Sequence, residues 1–89
     1  MIRVDRASNG EVMFFLSGVI TTEDIPDLEQ LLKSEGDGSK IAFDLKDILR
    51  VNADAVAFLS RCKTAGIALR NCPAFIRDWI EEIRRQMCQ

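Results

Sequence analysis

The amino-acid sequence predicts an α/β protein in which helices cover a small mixed β-sheet, with the element order β-β-α-β-α-β-α. Apolar runs of strand length occupy residues 12–16 and 41–45, and longer stretches carry apolar residues at helical spacing. The first two strands are separated by a tight turn, which indicates an antiparallel hairpin. A strand, a helix and another strand in succession then indicate a parallel pair joined by a right-handed crossover.

The first two strands are predicted to form the hairpin. Ile2 and Val4 alternate with polar neighbours, which is a weak strand signal. The Asn9-Gly10 pair that follows favours a tight hairpin turn, because both residues tolerate positive φ. Residues 12–16 are apolar throughout, so we expect the second strand to be an interior strand that is buried on both faces.

The first long helix and the third strand come next. Thr21 or Thr22 can cap the helix, and Pro26 is tolerated in its first turn, where backbone N–H groups have no helical partner. The third strand is predicted over residues 40–45. Asp44 stands near its end, where α/β proteins often place functional residues. The structural alternative, which we favour, is a carboxylate that ties down the following loop.

The second long helix begins within the stretch from Arg50 to Leu59. Asn52 is a good N-cap, because its side-chain oxygen can accept a hydrogen bond from a free backbone N–H of the first turn. Asp54 then lies in that turn, where the helix dipole stabilises a carboxylate by about 0.3–1 kcal/mol. Gly66 suits the left-handed position after the helix. The helix start is either a contact point for a partner or an ordinary cap.

A short fourth strand and a last helix complete the chain. The strand is predicted over residues 67–70, and Pro73 fits the first position of the helix. The apolar stripe of that helix comprises Ile76, Trp79, Ile80, Ile83 and Met87.

Size and charge restrict the classes of function. The chain has 89 residues, enough for one small domain spanning 1–89, and 47% of them are hydrophobic. Its net charge of −2 provides no electrostatic footprint for nucleic acid or for an anionic membrane. No apolar run approaches the length of about 20 residues that spans a bilayer, and the N-terminus lacks the layout of a signal peptide. We therefore expect a cytoplasmic protein.

The cysteines indicate neither a metal site nor a catalytic thiol. Cys62, Cys72 and Cys88 contain no CxxC pair, and the chain has no histidine that could complete a zinc site or activate a thiol. Cys62 falls on the apolar side of a predicted helix, as a small core residue does. No metal and no cofactor are expected.

Residues 12–80 resemble a STAS domain, the fold of bacterial anti-sigma factor antagonists. The likeness is distributed along the chain and no single part of it is specific. The segments that carry it are Leu16-Ser17-Gly18, Leu28 and Leu32, Phe43-Asp44-Leu45, Val51-Asn52-Ala53-Asp54-Ala55, Leu59, Ala65-Gly66-Ile67 and Asn71-Cys72-Pro73.

The chain departs from this family at the start of the second long helix. There the family usually reads Asp-Ser-Ser-Gly, and a partner kinase phosphorylates the second serine. Asn52 takes the place of that Asp, and Ala53 that of the first Ser. Asp54 takes the place of the phosphorylated Ser, and Ala55 that of the Gly. Phosphorylation is therefore excluded here. Asp54 either imitates a phosphoserine with about one charge instead of about 1.5–2, or only caps the helix.

The resemblance implies a non-enzymatic interaction module that a partner protein contacts around this helix start. The residues expected to contact the partner are Arg50, Asn52, Ala53, Asp54, Ala55 and Phe58. Phe58 falls off the predicted buried stripe, so an exposed aromatic anchor is one interpretation. Packing under a neighbouring loop is the other.

The resemblance also implies two classes of partner. One is an anti-sigma protein related to serine kinases, and the other is the ATPase of an ABC-type lipid transporter, which uses small STAS subunits. A small nucleotide- or lipid-binding domain is the alternative, because a helix N-terminus can hold a phosphate. The absence of a glycine-rich phosphate loop and the charge of Asp54 argue against that alternative.

Overall fold

The computed structural model describes residues 2–8, 10–35 and 40–87. The strands are β1 (Ile2–Ser8), β2 (Val12–Ile20), β3 (Ile41–Val51) and β4 (Ala68–Arg70). The helices are α1 (Ile25–Ser34), α2 (Ala53–Thr64) and α3 (Ala74–Met87), and a 3-10 turn (Thr22–Asp24) precedes α1. The predicted order of elements and the α/β fold class are confirmed.

The four strands form one mixed sheet in the order β1-β2-β3-β4. β1 and β2 are antiparallel, as the hairpin prediction requires, whereas β2 and β3 and then β3 and β4 are parallel. Gly10 has φ +82°, and Asn9 of the predicted turn lies outside the described residues. Both crossovers proceed in the same direction across the sheet, so right-handed connections place α1 and α2 on the same face.

The hydrophobic core lies between that face and the helices. Its largest fully buried side chains are Phe14, Phe43, Leu16, Ile20, Leu28, Leu45, Leu59, Ile76 and Val56. Burial alternates along β2, and Phe15 is 43% exposed beside the buried Phe14. The prediction that β2 is an interior strand is confirmed, but the prediction that both of its faces are buried is wrong.

β3 is longer than predicted, because it continues to Val51 instead of ending near residue 45. Asp44 therefore lies within the strand and not at its end. Its Oδ1 accepts the backbone N–H of Lys46 at 3.0 Å, and its Oδ2 accepts the side-chain amide of Asn71, also at 3.0 Å. Asp44 has a structural role, as we favoured, but the prediction that it ties down a following loop is wrong, because β3 continues and the carboxylate instead ties it to the segment after β4.

The helix boundaries agree with most of the sequence signals. Pro26 lies in the first turn of α1, and Gly66 has φ +97° after the end of α2. α3 begins at Ala74, so Pro73 precedes the helix by one residue instead of being its first. The Pro73 carbonyl accepts the N–H groups of Ile76 and Arg77 at 3.1 and 3.0 Å. Ile76 and Ile80 are buried, Trp79 and Ile83 are partly buried, and the Met87 side chain lies outside the described part.

Candidate functional site

The start of α2 is built on the cap that the sequence predicts. Asn52 has an extended backbone (φ −101°, ψ 177°), and its Oδ1 accepts the N–H of Ala55 at 2.9 Å. The Asn52 carbonyl accepts the N–H of Val56 at 3.1 Å, which opens the helical hydrogen bonding. The Asn52 N–H donates to the carbonyl of Ile20 at 3.3 Å. The cap is thereby fixed to the end of β2, and the N-cap prediction is confirmed.

Asp54 is exposed in the first turn of α2, as predicted, and a threonine from a distant segment orients it. The Thr22 hydroxyl donates to Oδ2 of Asp54 at 2.6 Å. The side-chain amide of Asn52 donates to that same hydroxyl oxygen at 3.0 Å. Thr22 thus bridges the cap residue and the carboxylate, which gives Asp54 a defined position on an exposed surface.

The sequence indicates Thr22 only as a possible helix cap. Thr22 and Asp54 are 32 residues apart, so no local pattern connects them. They meet because each follows the carboxyl end of a strand, and those two strands, β2 and β3, are parallel neighbours. The residues that follow neighbouring parallel strands lie at one edge of the sheet, and this rule is the signal that could have found Thr22.

Leu49 is a second feature of this region that the sequence did not reveal. Gly18 pairs with Ile48 and Val19 pairs with Arg50, so Leu49 is an extra residue in β3 without a partner in β2. A bulge of this kind bends the strand and re-aims a side chain. The Leu49 side chain is 78% exposed, which is unusual for a residue so close to a core strand. It precedes the cap residue Asn52 by three positions.

The other residues expected to contact a partner divide into two groups. Arg50 and Ala53 are exposed, and Asn52 is half-buried. Ala55 is fully buried and Phe58 is 3% exposed, so the expectation of an exposed aromatic anchor at Phe58 is wrong. The buried side of α2 is wider than one stripe, because α2 packs on the sheet, contacts α3 and faces α1 across a groove. The buried residues of α2 are Ala55, Val56, Phe58, Leu59, Ser60 and Cys62.

Neither of the two cysteines that the structure describes is an activated thiol. Burial raises the pKa of the Cys62 thiol to about 12, and it also raises the pKa of the half-buried Cys72 thiol. Thiols with raised pKa values are poor nucleophiles at neutral pH. Cys62 is 4% exposed, which confirms its prediction as a core residue. Cys88 lies outside the described residues.

The described residues contain neither a cluster that could hold a metal ion nor a helix that could span a membrane. Over residues 2–8, 10–35 and 40–87, no three His, Cys, Asp or Glu side chains come together in a way that could hold a metal ion. Within the same ranges, none of the helices has the length and apolar character required to span a bilayer.

Comparison with known proteins identifies the fold. No protein-family model matches the sequence, and a search of curated proteins finds no match. Among solved structures, the chain is similar to an uncharacterised protein of the DUF3478 family from Shewanella loihica PV-4, which has a SpoIIAA-like fold. The match has a TM-score of 0.56 and 17% sequence identity, and it covers 97% of this chain and 79% of the other. The chain has a SpoIIAA-like fold. This is the STAS-like fold that the sequence resemblance implied, and at this identity the likeness establishes the fold alone.

Proposed function

We propose that the chain is a non-enzymatic interaction module that binds a partner protein at the start of α2. The residues of this α2 surface are Thr22, Leu49, Arg50, Ala53 and Asp54. All five are exposed, and they combine one fixed carboxylate, one cation and one large apolar side chain. Interfaces concentrate their binding energy in a few such groups.

The observation that carries the proposal is the exposed carboxylate of Asp54, held by the Thr22 hydroxyl at 2.6 Å. A side chain that is already ordered loses less conformational entropy when a partner binds it. The described contacts of Asp54 use Oδ2, which leaves Oδ1 for a donor from the partner. A charged hydrogen bond of this kind is worth about 1.5–3 kcal/mol.

Leu49 supports the same location, because an exposed leucine on a bulge has no role in the packing of the described core. At an interface it would bury apolar surface beside the polar contacts of Asp54, in the usual arrangement of an apolar centre and a polar rim. Phe58 and Ala55 are not part of the surface, because the core covers both. Ala55 is instead buried on the core side of the first turn of α2.

Asp54 is negatively charged without any modification, so the binding surface has one permanent charge state. The family switches its affinity with a phosphoserine at this position, whereas Asp54 keeps about one negative charge without modification. We therefore propose constitutive binding to the partner. The resemblance provides two classes of partner, an anti-sigma protein of the serine-kinase type and a transporter ATPase.

Quantitative co-purification from the native host tests this function. We expect the partner recovered with wild type to fall by about tenfold or more with Asp54→Ala, because a charged hydrogen bond is lost. Asp54→Ser should weaken binding as well, since a neutral hydroxyl replaces the carboxylate. Asp78→Ala removes an exposed carboxylate from α3 and is the matched control. Equal recovery with all four proteins would show that the site is assigned incorrectly.

A further inference from the structure

An apolar groove lies between α1 and α2 at the ends opposite to the α2 surface. Its accessible apolar lining is the exposed Ala65 together with the half-buried Leu32 and Ile67, and the buried Phe58 and Cys62 border it with only 3% and 4% of their surface exposed. Its volume is about 280 Å³. The groove is shallow and largely open to solvent, and its volume is slightly below the roughly 300–1,000 Å³ of typical small-molecule sites, so it suits a small apolar group and not a whole helix face.

The rim of this α1–α2 groove carries two cations. Lys33 of α1 and Arg61 of α2 line it from opposite sides, together with Glu29. The ion pairs found within residues 2–8, 10–35 and 40–87 are Arg3–Asp5, Arg6–Glu35 and Arg70–Glu11, and none of them involves Lys33 or Arg61. The rim therefore carries two cations and one carboxylate, and its net positive charge over an apolar lining matches a ligand with an apolar body and an anionic head.

We propose that the α1–α2 groove binds a free monoacyl carboxylate, with the chain along Leu32, Ala65 and Ile67 and the carboxylate between Lys33 and Arg61. The complementary charge of the rim selects an anionic head over a cationic or neutral one. The net charge of −2 repels a single free carboxylate less than it repels the many charges of an anionic bilayer, so a free carboxylate fits better than a membrane lipid. The site uses none of the residues of the α2 surface and does not depend on the proposed function.

Lys33 and Arg61 also stand in the last turns of their helices, where cations stabilise the negative helix ends. If the negative helix ends fully offset the charges of Lys33 and Arg61, the groove would bind ligands of either charge equally well. The charge of the ligand is therefore the variable that the test changes.

The test is a titration of the uniformly ¹⁵N-labelled chain with decanoate below its micellar concentration, followed by amide chemical shifts. We expect saturable shifts that centre on Leu32, Lys33, Arg61, Cys62 and Ile67. Decyltrimethylammonium has the same chain and the opposite charge, and we expect it to bind about tenfold more weakly. Acetate, which has the charge and no chain, should produce no saturable shifts at these residues.

Two matched variants complete the test. Ala65→Phe places a ring at the mouth of the groove and should abolish the decanoate shifts, whereas Ala74→Phe places the same ring at the exposed start of α3 and should leave them unchanged. Lys33→Gln combined with Arg61→Gln should remove the preference for decanoate over decyltrimethylammonium. The proposal is overturned if the cationic amphiphile binds wild type as well as decanoate does. It is equally overturned if the shifts lie outside the groove or persist in Ala65→Phe.

Discussion

Replacement of Asn52 by alanine removes two hydrogen bonds at once and probes the architecture of the α2 surface. The first is the cap from Ala55 N–H to Asn52 Oδ1 at 2.9 Å, and the loss of such a cap costs about 1 kcal/mol. The second is the bond from Asn52 Nδ2 to the Thr22 hydroxyl at 3.0 Å, and its exposed position limits its contribution to about 0.5 kcal/mol. We therefore expect Asn52→Ala to lower the free energy of unfolding by about 1.5 kcal/mol.

Urea denaturation followed by circular dichroism measures this change, and in a domain of this size it corresponds to a Tm lower by about 6–12 °C. Asn52→Ser is the matched variant, because serine caps about as well as asparagine does but lacks the amide that donates to Thr22. It should lose only about 0.5 kcal/mol. The reasoning is refuted if Asn52→Ala stays within about 0.3 kcal/mol of wild type, or if both variants are equally destabilised.

Three further predictions follow from the fold. Thr22→Val keeps the shape of the side chain but releases the Asp54 carboxylate. It should therefore lower the amount of partner recovered, while the free energy of unfolding changes by less than about 1 kcal/mol. Unchanged recovery would show that the orientation of Asp54 is unimportant. Phe14→Ala should lower the free energy of unfolding by about 3–5 kcal/mol and Phe15→Ala by less than about 1 kcal/mol, because Phe14 is fully buried and Phe15 is 43% exposed. Equal losses in urea denaturation would contradict the burial of only one face of β2. Burial raises the pKa of the Cys62 thiol from its ordinary value of 9.0 to about 12. The unfolded chain therefore loses this proton first, and stability falls as pH rises above about 9. Between pH 8 and pH 10 wild type should lose about 1 kcal/mol more than Cys62→Ala does, and an equal loss would disprove the shift.

The element order was predictable because local signals agreed with the global arrangement. The apolar runs of β2 and β3, the cap at Asn52 and the glycine at position 66 each mark one boundary without reference to the rest of the chain. The second half of β3 escaped prediction because Lys46, Asp47 and Arg50 are exposed and interrupt the apolar pattern. Pairing with β2, which no local pattern encodes, keeps this segment extended.

The candidate site was only half predictable for the same reason. The sequence identified Asn52 and Asp54, because capping involves neighbouring residues. Thr22 reaches Asp54 only through the parallel pairing of β2 and β3, and Leu49 is exposed only because of the bulge in that pairing. Phe58 was misplaced because a helix with neighbours on several sides buries more than one stripe of side chains.

Site-specific photo-crosslinking in the native host tests the location of the partner most directly. A photoreactive phenylalanine analogue is placed at Ala53 in one protein and at Ala7 of β1 in another, and both positions are exposed. We expect the probe at position 53 to crosslink one protein and the probe at position 7 not to crosslink it. The crosslink from position 53 should disappear when Asp54→Ala is combined with the probe. Crosslinking from position 7 but not from position 53 would contradict binding at the start of α2.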